Sequence, residues 1–342
     1  MIESVKTPVV LIVFNRPGVT RRNLDVLRQV RPEQLFVVAD GPRPDRPDDA
    51  RLCAEVHEAV AAVDWPVKLH TKYAERNIGL EGNVELGLDW VFSQVDRAIV
   101  LEDDCIPDPT FFQYCEELLD RYAGERRVWQ IAGDNHGVPS GMFGGSSYAF
   151  STWASVWGWA TWADRWHAHR ALFPRDHAGA EERFAHVPRT ADAVRVTPAL
   201  PHPDALVTAA ARRHFAEVAT NTDGDARGWD HHWWVTIMSE RGLSAMPAVN
   251  LVENDGYGEG ATHTRAEKEP EPAFAMPFPM THPPVALNRE VEAELELILL
   301  RTDGRLSRIA RRLIRPLWLR SLVRRIVSVP PVWWLVRRVA GR

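Results

Sequence analysis

The sequence predicts an α/β domain: a mostly parallel sheet with helices on both faces, followed by a helical, strongly basic C-terminal tail. Two observations predict the domain. Short apolar runs with the composition of buried strands alternate with segments of helical spacing from residue 9 to residue 132, the pattern of a sheet covered on both sides. The chain has 342 residues, enough for one large α/β domain with additions. A third observation predicts the tail: residues 305–342 hold eleven arginines and no acid.

Taken in order, Val9–Phe14 reads as a buried strand, and residues 20–27 follow with helical spacing and Thr20 as N-cap. Leu35–Ala39 is a second strand, ending in the turn residues Asp40-Gly41-Pro42. An alanine-rich helix is expected near 49–62, a weaker strand at Val67–Thr71, and an amphipathic helix over Asn83–Val95. Ala98–Leu101 is the fourth strand, Phe111–Tyr122 a helix, and Val128–Ala132 a fifth strand. Beyond residue 140 the character changes. Residues 141–147 are rich in glycine and serine, and Trp153, Trp157, Trp159, Trp162 and Trp166 crowd the next stretch. Residues 174–205 read as irregular, Trp229–Arg241 as helical, Leu243–Val252 as extended, 255–264 as a glycine-rich loop, and 268–284 as a proline-rich surface wrap.

The strongest chemical signal is the end of the fourth strand, where Glu102, Asp103 and Asp104 follow the apolar run directly. Three adjacent carboxylates repel one another and are costly to bury without a partner. In open α/β sheets ligands bind beyond the carboxyl ends of the strands. The triplet therefore fits a site for a hard cation such as Mg²⁺ or Mn²⁺ serving a phosphate-bearing substrate. A solvated acidic turn is the other reading of the triplet by itself.

Composition sets limits. No window approaches the roughly 18 apolar residues of a membrane span, and no secretory leader is visible. Three cysteines, far apart and without metal-type spacing, read as free thiols in a reducing compartment, so a cytoplasmic location is expected. The net charge of −5 is uneven. Setting the eleven tail arginines aside leaves 30 basic against 46 acidic residues in 1–304, a net of −16. Such a body argues against nucleic acid as a partner. In the tail, apolar residues such as Leu306, Ile309, Leu313 and Leu317 recur among the arginines at helical spacing, interrupted at Pro316. That pattern suits a peripheral anchor on the anionic inner face of a membrane. A helix pair docked on the acidic body or on a second subunit is the alternative.

The order of motifs resembles inverting glycosyltransferases of the GT-A fold, a Rossmann-like sheet, specifically N-acetylglucosaminyltransferase I and its bacterial, family 2-like relatives. The resemblance runs from about residue 7 to about residue 265. It is carried by FNRPGVTRRNLDVL (14–27), VLEDDCIPDPTFF (100–112), IAGDNHG (131–137), WGWATW (157–162), WDHHWW (229–234) and GATHT (260–264). It implies a nucleotide-sugar-binding half over 1–140, an acceptor and catalytic half of the same domain over 141–265, a surface-wrapping segment over 266–304, and the basic tail over 305–342.

The resemblance also implies roles. Arg16 would sit beside the donor diphosphate, Asp40 would accept from the uracil ring, Glu102 would face nucleotide or donor sugar, and Asp103 the ribose. Asp104 would bind Mn²⁺ or Mg²⁺, with His263 as a further ligand or a clasp on the diphosphate. Trp229 would lie against the donor sugar and Asp230 would be the catalytic base, with Asp134 the runner-up. Trp157, Trp159, Asp134 and His136 would line the acceptor side, for a glycan or lipid-linked acceptor. The chain departs from the eukaryotic pattern at His231, where a second acid is found. Two readings from other classes stand beside this one: a nucleotidyltransferase or pyrophosphorylase acting on sugar phosphates, and a non-catalytic sugar-binding protein.

Overall fold

The computed structural model describes residues 4–172, 211, 228–256 and 271–299. Its centre is an eight-stranded sheet. The described strands are, in chain order, β1 (Val9–Val13), β2 (Gln34–Ala39), β3 (Lys68–Tyr73), β4 (Arg97–Glu102), the short β5 (Cys105–Pro107), β6 (Val128–Ala132), β7 (Tyr148–Ser151), β8 (Trp159–Trp162), β9 (Leu243–Pro247) and β10 (Val252–Asn254). The large sheet has the order β3-β2-β1-β4-β8-β6-β9-β7, and β10 pairs with β5 in a separate two-stranded ribbon. β1, β2, β3, β4, β6 and β9 share one direction, while β8 and β7 run against them. The expected mostly parallel α/β sheet is therefore observed.

Alternate residues of the inner strands sort onto two faces. Val9, Leu11 and Val13 join one core with α1 (Pro17–Val30), α2 (Asp49–Ala61) and α4 (Thr110–Arg121), through Leu24, Leu27, Val56, Phe111 and Leu118. Val10 and Ile12 join the opposite core with α3 (Leu80–Phe92), α5 (Ala163–Leu172) and α6 (Trp229–Ser239), through Val84, Leu88, Trp166 and Trp233. A third cluster lies under α7 (Arg289–Leu299), where Val291 and Leu295 meet Phe143, Met246 and Trp234. Residues 271–288 lie against the domain and bury Met276 and Met280 in its core. Asn250 Nδ2 donates to the carbonyls of Glu271 and Pro272, and Asn288 N–H donates to Phe150 O (2.8 Å).

Three local expectations are corrected. α1 starts at Pro17, whose fixed φ suits a first turn, so Thr20 is not the cap. It is buried in that turn, and its Oγ1 donates back to Arg16 O (2.9 Å). The stretch 243–252 is not one strand: it leaves the main sheet after Pro247 and re-enters the ribbon at Val252. The tryptophan-rich region supplies β8, which sits at the centre of the sheet, and most of its indoles are core. Trp159 is fully buried, and so is Trp166, the one whose packing was expected.

This topology decides where a ligand goes. α1 and α2 carry the chain outward from β1 to β2 and β3, and α3 returns it across the sheet to β4 on the other side of β1. The strand order thus reverses between β1 and β4, and the crevice beyond the carboxyl ends of those two strands is the switch point of an open α/β sheet.

Candidate active site

The segments that leave β1 and β4 meet at the switch point. Arg16, one residue before α1, donates Nε to Asp103 Oδ2 (3.2 Å) and Nη2 to Asp103 Oδ1, and reaches Asp104 Oδ2 at 3.1 Å. A planar guanidinium suits this forked contact with a carboxylate. Asn23, on the buried side of α1, donates to Asp103 O (2.9 Å) and fixes the backbone of the triplet. Burial works against the charge on Arg16, but Asp103 and Asp104 outweigh it and raise its pKa. Burial lifts Asp103 to about 6 against the pull of Arg16. Burial, and then the charges of Asp104, Asp103 and Asp230, lift Glu102 to about 8.

The influence of Asp230 on Glu102 brings the WDHHWW segment to the same place. α6 ends at Ser239 and β9 begins at Leu243, so α6 runs back along the sheet and its first turn lies at the carboxyl edge. Asp230 is exposed in that first turn, and its Oδ1 folds over the helix start, where a Cβ on Gly228 would lie 2.5 Å away. Trp229 is buried with its ring stacked on Trp159 at 5.9 Å between centroids. Both rings therefore belong to the core, which corrects the expectation that Trp159 faces an acceptor and that Trp229 presents its ring to a donor sugar.

The ribbon brings a third segment. β10 pairs antiparallel with β5, with Asn254 opposite Cys105, so the chain emerges beside the triplet, and Asp255 N–H donates to Asp104 O (2.8 Å). Arg22 of α1 ties this corner down with ion pairs to Glu253 (3.0 Å) and Asp255. Gly158 allows the approach. Its φ of +65° is a left-handed conformation, and a Cβ there would stand 2.7 Å from Val252. His263 and the rest of the glycine-rich loop lie outside the described residues.

Asp40 is placed differently from expectation. Its Oδ1 accepts from the N–H groups of Gly41 and Ile78 (both 2.8 Å), and its Oδ2 from Gly79 N–H (3.0 Å) and Asn77 Nδ2 (2.8 Å). A carboxylate has about four acceptor positions, and all are taken by the chain. Asp40 is a clamp on residues 77–79, not a reader of a base. Burial outweighs these bonds and leaves its pKa raised. Gly41 is needed beside it because a Cβ would lie 2.4 Å from the backbone of Arg76.

Asp134 and His136 follow β6. Their side chains pair, Nδ1 to Oδ2 at 2.9 Å, and the His136 ring meets Trp157 at 5.4 Å between centroids. Val100, Trp159 and Ala132 form one row across β4, β8 and β6. Gly133 N–H still donates to Gly158 O (2.8 Å) beyond that row, and the chains of β8 and β6 then part.

Among the described residues no three His, Cys, Asp or Glu side chains converge as a metal cage. The residues fit a different kind of cation site. Asp103 and Asp104 face the Arg16 guanidinium, and burial, followed by the charges of Asp104, Asp103 and Asp230, holds Glu102 toward its neutral form. Mg²⁺ and, by the same ligand preference, Mn²⁺ are commonly held by one or two carboxylates plus substrate phosphate oxygens and water. Asp104 is partly exposed, and its Oδ2 is paired with Arg16.

The chain matches no family model and no curated protein. Among solved structures it is similar to 4-diphosphocytidyl-2C-methyl-D-erythritol synthase from Anaerococcus prevotii, at 10% identity and a TM-score of 0.29, covering 56% of this chain and 83% of that one.

Proposed function

We propose that the chain transfers a sugar from a nucleoside-diphosphate sugar, with UDP the preferred nucleotide, to an acceptor hydroxyl with inversion at the anomeric carbon. The carrying observation is the convergence of Arg16, the Glu102–Asp104 triplet and Asp230 at the β1/β4 switch point. That is where an α/β sheet binds nucleotides, and the excess of carboxylates favours a bound divalent cation.

Asp104 would hold Mn²⁺ or Mg²⁺, which when bound supplies positive charge to a leaving diphosphate. Arg16 is the protein's own cation at that place. Its forked donors can turn from Asp103 to phosphate oxygens, stabilising charge as the bond to the sugar breaks. Asp230, exposed and at the start of α6, takes the proton from the attacking hydroxyl. Glu102 and Asp103 line the floor toward the donor. The β8 and β6 ends, one and two strand steps away, are the acceptor side.

The basic tail lies outside the described residues. Among the described residues no helix is long and apolar enough to cross a membrane. A lipid-linked acceptor and a tail bound to an anionic membrane surface complete the proposal. Co-sedimentation with anionic liposomes, lost on truncation near residue 300, is the expected result for the tail.

The test of the central reading is a screen of UDP-sugars with Mn²⁺. Release of UDP without pyrophosphate is expected, with loss of that release in Asp104→Ala and in EDTA, and with a product of inverted configuration by NMR. Release of pyrophosphate would establish the nucleotidyltransferase reading instead. No turnover with any donor would favour a sugar-binding protein.

A further inference from the structure

β6 is irregular where it faces α6. Val128 pairs with Leu243 of β9 and Gln130 with the very next residue, Ser244, so Trp129 is an extra residue, a β-bulge. Side chains alternate between faces along a regular strand. The bulge breaks that alternation and turns two successive side chains, Trp129 and Gln130, toward α6, while Val128 and Ile131 on either side join the opposite core. A regular strand would have put Gln130 on the face of Val128.

On the α6 face Gln130 is fully buried, and both ends of its amide are used. Oε1 accepts Trp233 Nε1–H (2.6 Å), and Nε2 donates to Ser155 O. Trp233 is fully buried as well, with the rings of Trp129, Trp159, Trp166 and His169 around it at 5.3–6.0 Å between centroids. Apolar packing is non-directional, whereas the indole N–H bond has a direction and fixes how the ring is turned. Ser155 lies between β7 and β8, in the segment that enters β8. One amide thus joins β6, α6 and that segment.

Asp230 stands three residues before Trp233, in the first turn of α6. Turning a helix by about 10° moves a group at its rim, about 5–6 Å off the axis, by about 1 Å. A misplacement of about 1 Å can cost about a hundredfold in rate.

We infer that Gln130 is a positioning residue, whose side chain ties α6 to the segment entering β8 and so sets where Asp230 stands at the switch point. It acts through Trp233 and not on substrate. The consequence for catalysis rests on the proposed role of Asp230, while the tie itself does not.

The test uses the full chain and three substitutions. Gln130→Met keeps the length of the side chain and loses both bonds. Gln130→Glu, held neutral by burial, accepts Trp233 N–H with one oxygen and donates its O–H to Ser155 O from the other, restoring both. Trp233→Phe removes the N–H and leaves a ring. In Gln130→Met, kcat should fall about ten- to a hundredfold with donor Kd changed by less than about twofold. Gln130→Glu should return kcat to within about threefold of wild type, and adding Trp233→Phe to Gln130→Met should cost little beyond the larger single loss. Hydrogen exchange along α6, read without donor, should be about tenfold faster in Gln130→Met and in Trp233→Phe, near wild type in Gln130→Glu, and unchanged along α4 on the other face. Should Gln130→Met fail to fold, Trp233→Phe against Gln130→Glu carries the same comparison.

Unchanged kcat in Gln130→Met, or Met serving better than Glu, overturns the inference, because packing alone then accounts for the residue. Equal loss of kcat and donor affinity overturns it too, as general damage. Exchange in α6 that quickens and is restored by Gln130→Glu, in a protein with no turnover on any donor, sustains the tie and overturns the transferase reading. Exchange and kcat that ignore the substitutions, beside intact turnover, overturn the tie and leave the transferase reading standing.

Discussion

Arg16 and Asp103 face one another across the gap between β1 and β4 and close it with a forked ion pair. One comes from the turn that starts α1 and the other from the end of a buried strand, 87 residues apart in the chain. In the proposed function fork geometry matters, because the donors that hold a carboxylate here would serve a diphosphate in turnover. Arg16→Lys preserves charge and loses the fork. Turnover at saturating donor is expected to fall roughly ten- to a hundredfold, the value of one charge-assisted hydrogen bond. Activity kept within twofold would mean that charge alone suffices at this position.

Asp230→Asn removes the proposed proton acceptor and leaves the shape of the first turn of α6. Transfer is expected to drop by about two to four orders of magnitude with donor affinity largely kept, as measured by steady-state rates and donor titration. If Asp134→Asn instead produces the larger loss in kcat, the base lies after β6 and the assignment moves there.

Asp40→Asn separates a clamp from a base reader. The amide can accept at one oxygen only, so buried N–H donors in residues 77–79 lose their partner. The cost is expected to be about 1–3 kcal/mol of stability, read from denaturant unfolding. A variant of unchanged stability but weakened UDP binding would restore the uracil contact and displace the clamp.

Glu292 of α7 carries a pH dependence. It is fully buried, and it accepts from Ser151 Oγ (2.6 Å), Thr152 N–H (3.1 Å) and Thr152 Oγ1. Burial pushes its carboxyl up to about 7 against these bonds, with the Glu296 charge adding to the rise. An unfolded glutamate releases its proton near 4.3. Between those values the native state holds more protons than the unfolded state, so this group's contribution to stability falls as pH rises, and it levels off above about 7. The difference in melting temperature between wild type and Glu292→Gln should therefore grow in favour of the variant from about pH 4.5 to pH 7.5. A difference constant with pH would show that Glu292 is charged throughout in the folded protein.

The sequence by itself determined the five early strands, the helices between them and the site's first member. Uninterrupted apolar runs ending in turn residues leave a strand little choice, and a run that ends in Glu102-Asp103-Asp104 marks a ligand edge by charge alone. It could also show that Asp134 and His136 stand beside a strand end. What it could not show was direction and neighbourhood. β8 runs antiparallel through the middle of the sheet, so the Trp159 indole is core, while Trp166, expected to be packed, is fully buried on α5. The division of 243–252 between two sheets depends on Val252 fitting over Gly158, a contact between segments about 95 residues apart. Asp40 looked like a turn or a base contact, because nothing in the Asp-Gly-Pro run indicates that Asn77, Ile78 and Gly79 converge on its oxygens. Asn23 and Arg22 carried no signal in α1 beyond polarity, and their partners, Asp103 and the Glu253–Asp255 corner, lie 80 or more positions away. Local periodicity is written in adjacent residues and survives reading along the chain. Hydrogen-bond saturation, ion pairing and burial are sums over neighbours that only the folded sheet assembles.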